Sequence, residues 1–153
     1  MYNTPTSGAT RDMMLTRQSF WAGLTVAGSF LAILGMLVLP WYNRAAAFRS
    51  GGGLTFFQWH QQTHSMIPYW VALIAYIAIA VVVFTRATHW SAWAGVALAC
   101  ITFADASWKM SAMLLVPTPL DLSVGVGYYS LMAGAAFVLI GSIQRVVQAS
   151  QNE

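Results

Sequence analysis

Residues 19–39 read SFWAGLTVAGSFLAILGMLVL, 21 residues without a charge. A helix rises about 1.5 Å per residue, and about 20 apolar residues carry it across a hydrocarbon core about 30 Å thick. This stretch therefore has the length of one membrane crossing. A signal-peptide core is only about 7–15 residues long and sits nearer the first residue, so the segment reads as a retained span.

Three further apolar blocks follow at Ile67–Phe84, Trp90–Leu115 and Leu122–Ile143. Of the 153 residues 58% are hydrophobic and 7% charged, against roughly 25% charged in an ordinary soluble domain. Backbone amides in lipid must be satisfied within the chain, which leaves helices or a closed barrel. Continuous apolar runs without period-two alternation exclude the barrel. The expected fold is all-α: an integral membrane four-helix transmembrane bundle. It forms one domain over 19–147, with spans at about 20–39, 67–85, 90–115 and 122–143, between polar tails at 1–18 and 148–153.

Arg11, Arg17, Arg86 and Arg145 flank the spans on one side, Arg44 and Arg49 on the other. By the positive-inside rule both termini face the cytoplasm. A bacterial plasma (inner) membrane fits the small size. The pI of about 9.4 reflects this bias, since no basic run is present to grip nucleic acid. The single cysteine, Cys100, excludes a disulfide framework and a cysteine-rich metal site.

Pro40 ends the first span, and Trp41 and Tyr42 carry the amphipathic rings expected at headgroup level. Residues 43–66 make the one sizeable outer loop, with glycines at 51–53 followed by Leu54-Thr55-Phe56-Phe57-Gln58-Trp59. That run is too apolar for free solvent and is expected on the membrane surface or against a partner, with Phe56, Phe57 and Trp59 as docking residues. Thr63 or Ser65 is placed to cap the second span, and Asp121 or Ser123 the fourth. The residues at 1–18 contain no pattern that could bury itself, and read as a disordered or partner-held tail.

Helices in lipid associate through close backbone approach, which favours small residues on one face. Gly28, Ala32 and Gly35 recur at helical spacing in the first span, and Ser130, Gly134 and Gly141 in the fourth. These rows are expected to pack against each other or against a neighbouring subunit.

Asp105 and Lys109 stand four residues apart in the third span and share one helical face. Buried charge in hydrocarbon turns to protein, water or an opposite charge, so the two read as an intramembrane ion pair with Lys109 snorkelling to the headgroups. His60 and His64 have i, i+4 spacing, and with Asp105 at the same membrane level they form a candidate copper or zinc site. The same outer cluster would also suit a quinone. Nucleophile elbow, phosphate loop and HExxH signatures are missing.

Leu39-Pro40-Trp41-Tyr42 after the first span and Gly125-Val126-Gly127-Tyr128-Tyr129 opening the last resemble the span boundaries of small four-span bacterial membrane proteins. The likeness is architectural and carries no functional residue. The leading expectation is a non-catalytic accessory subunit of a larger membrane complex, with lipid and other membrane subunits as partners. The alternatives are a small metal- or quinone-binding redox subunit and an oligomeric transporter or channel with Asp105 in its path.

Overall fold

The structure, a computed structural model, describes residues 7–44, 54–55, 69–85, 89–115 and 122–151. Four helices carry it: α1 (Ser7–Leu37), α2 (Tyr69–Thr85), α3 (His89–Leu115) and α4 (Val126–Ser150). Three short strands, β1 (Pro40–Arg44), β2 (Leu54–Thr55) and β3 (Leu122–Val124), form an antiparallel sheet in the order β2-β1-β3. Two helices are long and apolar enough to cross a membrane, through Ser19–Leu37 of α1 and through α4, while Trp70–Phe84 of α2 is apolar but shorter.

The antiparallel pair α1 and α4 forms the axis of the bundle. A Cβ on Gly28 would meet the Gly134 carbonyl oxygen and Phe137 Cβ at 2.7 Å, and one on Gly35 would meet Gly127 O and Leu131 N at 2.7 Å. A Cβ on Gly134 would lie 2.5 Å from Ala32 N and 2.6 Å from Gly28 O. The obstacles are backbone atoms, so the two helices touch main chain to main chain. Ser130 Oγ donates across the same seam to Leu31 O at 3.0 Å. The small-residue rows on the two helices thus face each other within one chain.

The other two helices lie against this axis. α3 runs antiparallel to α4, with Gly95 against Ser142 and Val138. α2 leans chiefly on α1 and joins α3 where Tyr76 donates to Thr102 Oγ1 at 2.7 Å. The core holds Ala32, Met36, Trp41, Leu73, Tyr76, Ala99, Ala106, Leu131 and Val138, with many small side chains where helices approach closely.

Polar side chains are buried beside this apolar core, and large apolar ones lie outside. Thr25, Ser29, Ser91, Thr102, Asp105, Lys109, Ser130, Ser142 and Arg145 are buried, while Phe30, Ile74, Val81, Phe84, Trp90, Ile101, Phe137 and Ile140 are exposed. The inward hydroxyls are satisfied locally in several cases: Thr25, Ser29 and Thr102 each donate to the carbonyl four residues back, at 3.0, 2.9 and 2.8 Å.

Several boundaries differ from the expected ones. Residues 7–18, read as a polar tail, continue α1 as helix. A helix already nucleated over the apolar run propagates at one hydrogen bond per residue fixed, and Ala9, Arg11, Met13, Met14 and Leu15 are good helix formers. The fourth helix starts at Val126 rather than Leu122, because 122–124 pair with β1 through Tyr42↔Val124, Asn43↔Ser123 and Arg44↔Leu122.

Ser123 is thereby part of a strand, not a cap. The N-cap is Gly125, extended at φ −88°, ψ 167°, with no side-chain cap bond. Gly125 N donates to Trp41 O at 2.6 Å, and a Cβ there would lie within 2.9 Å of the Pro40 and Trp41 backbone, so only glycine fits this crossing. Leu54 and Thr55, the start of the apolar run, pair with Tyr42 and Pro40. Phe56, Phe57, Trp59, Thr63, Ser65 and Asp121 lie outside the described residues.

Candidate functional site at the strand-bearing end

Buried charge, a buried indole and the sheet meet at one end of the bundle. Lys109 Nζ donates to Asp105 Oδ2 at 2.6 Å, and the two side chains are only 5% and 11% exposed. The i, i+4 spacing on α3 produces this pair directly. Lys109 does not snorkel outward. Its ammonium lies 5.8 Å from the centre of the Trp41 ring, a distance at which the face of an indole attracts a cation.

Trp41, expected at headgroup level, is fully buried within the bundle. At the end of α1 the Leu39 N–H turns back to Leu34 O at 3.2 Å, and the Gly35 carbonyl accepts Trp41 Nε1 at 3.1 Å. The indole therefore closes the C-terminus of the helix that precedes it, where carbonyls lack intrahelical donors. Tyr128 stacks on it edge to face, with ring centres 5.5 Å apart at 86°. Gly127 makes the room, since a Cβ there would come within 2.8 Å of Trp41 Cδ1.

Sequence spacing alone found Asp105 and Lys109 but missed Trp41 and Tyr128. The available signal was Gly35 and Gly127, two small residues at the ends of facing spans with a tryptophan just beyond one of them.

Trp41→Phe tests this arrangement. The ring contacts persist while the donor to Gly35 O is lost, and the expected result is a fall of about 1–2 kcal/mol in unfolding free energy in detergent micelles. A variant as stable as the parent would show that the indole N–H contributes nothing.

Asp105 and Lys109 neutralise each other where an isolated charge would be costly. His60 and His64 lie outside the described residues, and among the described residues no group of three His, Cys, Asp or Glu could hold a metal ion. An ion pair roofed by an aromatic ring thus ties α3 to β1 and, through Trp41, to α1 and α4.

Compared with known proteins, the chain matches no family model, and no curated protein or solved structure is significantly similar to it.

Proposed function

We propose that the chain is a four-span integral membrane protein of a bacterial plasma membrane, acting as a non-catalytic accessory subunit of a larger membrane complex. The observation that carries the reading is the apolar outer surface of the bundle, with polar groups enclosed within it. Hydroxyls, a carboxylate, an ammonium and a guanidinium are turned inward, and large apolar side chains cover the outside of α2, α3 and α4. A soluble monomer rarely exposes contiguous apolar patches beyond a few hundred Å², whereas lipid makes such a surface favourable. α1 and α4 then cross as full-length spans, with α2 and α3 completing the bundle beside them.

The accessory role is supported by how the polar residues are used. Asp105 and Lys109 serve each other, and the small residues of α1 and α4 are consumed in the internal seam. What remains for contact with other subunits is apolar helix surface and the loop bearing Phe56, Phe57 and Trp59. Anchoring and contact area are what such a subunit supplies.

Mild-detergent purification tests the role. The chain is expected to run in fixed stoichiometry with a larger membrane assembly, and Phe56→Ser with Phe57→Ser to release it while its helicity is unchanged. A monodisperse chain with an activity of its own would overturn the reading.

A further inference from the structure

A side chain on Gly23 would meet nothing, since no atom lies within 4 Å of its notional Cβ. The residue lines a groove of about 740 Å³ that follows α1 from Ser19 to Leu34. α2 contributes Val83 and Phe84 to it, and α4 contributes Phe137. On α1 the row Gly28, Ala32 and Gly35 is filled by α4 at backbone contact, whereas no part of the described chain covers Gly23 and Ala27, both exposed.

Apart from Ser19 at one end, every residue lining the groove is apolar. Its occupant is therefore hydrocarbon. Left empty, the groove would forfeit dispersion contacts along three helices. An apolar chain lying in it touches protein on several sides, where a chain at a convex surface touches protein on one.

Size decides which hydrocarbon. Ser19 and Leu34 are fifteen residues apart, about 22 Å along the axis. A helix about 10 Å across would occupy about 1,700 Å³ over that length, more than twice the volume present. A lipid acyl chain is the narrower rod.

Charge sets the end from which the lipid enters. α1 and α3 both run antiparallel to α4. α2 ends at Thr85 and α3 starts at His89, so close in sequence that these two are also antiparallel. The Phe84 end of α2 thus lies with the Ser19 end of the groove. In the sequence Arg17 stands two residues before Ser19 and Arg86 two after Phe84, so chain length alone keeps their backbones within about 7 Å of residues that line it. Basic residues beside a span attract anionic headgroups.

We propose that this groove between α1, α2 and α4 holds one acyl chain of an anionic phospholipid, with the headgroup beyond its Ser19 end. The inference rests on the membrane reading and not on the accessory role.

The test uses the full chain in a neutral detergent, with helicity checked by circular dichroism. Phosphatidylglycerol or phosphatidylcholine is added, and retained lipid is counted in native mass spectra. One phosphatidylglycerol per chain is expected, with phosphatidylcholine held at least about fivefold more weakly, the effect of one basic residue near an anionic headgroup. Gly23→Leu fills the groove from an open position and is expected to weaken retention about tenfold, the scale of overpacking. Ala27→Leu is expected to do the same from one turn away. Ile101→Phe, on the exposed face of α3 and outside the groove, is expected to leave retention unchanged.

No retention by a helical protein, retention indifferent to both groove variants, or equal retention of the two lipids would overturn the proposal. A polypeptide retained with the chain and lost on Gly23→Leu would put a helix in the groove and overturn it as well. Alkaline extraction of membranes separates the two possible failures. A chain that stays in the membrane pellet yet holds no lipid loses the groove alone, whereas a chain released to the supernatant overturns the membrane reading and the groove with it.

Discussion

Lys109→Met is expected to lower the unfolding free energy by about 3–5 kcal/mol, the cost of breaking a buried ion pair by removing one partner. The ammonium is replaced by an apolar chain of similar length, and the buried Asp105 is left without the contact at 2.6 Å. Replacing both partners, Asp105→Leu with Lys109→Met, is expected to restore most of the stability, because apolar groups of similar shape substitute for a buried pair at little cost. The four proteins form a double-mutant cycle, read by thermal unfolding in one detergent. If the double variant lost as much as the two single losses added together, the charges would not be acting on each other.

The second large effect concerns two glycines of similar chemistry and opposite surroundings. A methyl group on Gly134 would press on Ala32 N and Gly28 O. Neither backbone can retreat without separating α1 from α4. Gly134→Ala is expected to cost about 1–3 kcal/mol, as overpacking does, and Gly134→Leu to prevent the pair from forming. Gly23 sits on α1 with nothing within 4 Å of its notional Cβ. Gly23→Ala is expected to be neutral or to stabilise by up to about 1 kcal/mol, the helix-propensity difference. Equal losses at the two positions would show that helix propensity, not the closeness of the seam, governs both.

Much of the bundle was legible because lipid-length apolar runs and small residues at helical spacing have one physical meaning each. The stretches 19–39, 67–84 and 90–115 mark three of the helices, and Asp105 with Lys109 follows from i, i+4 spacing alone. The sheet was not legible. Its strands are two to five residues long, too short for period-two alternation to stand out, and they come from segments distant in sequence. β3 also displaced the expected start of the last helix, since pairing with β1 outweighed the apolar character of Leu122 and Val124.

Trp41 illustrates a different limit. A tryptophan after a span reads equally well as a headgroup anchor or as a buried ring, and composition carries no information about which. The decision rests on Gly127, whose lack of a side chain creates the space, and on the Gly35 carbonyl at the end of α1, which accepts the indole N–H. The bond from Arg145 to Ser91 was likewise invisible, because the two residues stand on different helices and meet only through the register.

A bundle that spans a membrane turns apolar side chains to lipid and polar ones inward. Nitroxide labels at Ile74, Ile101 and Phe137, all exposed and on three different helices, test this in reconstituted bilayers through collision with oxygen and with a water-soluble nickel chelate. The expected result is high oxygen and low nickel accessibility at all three. Nickel accessibility exceeding that of oxygen at these positions would place water there, and the membrane reading would be wrong.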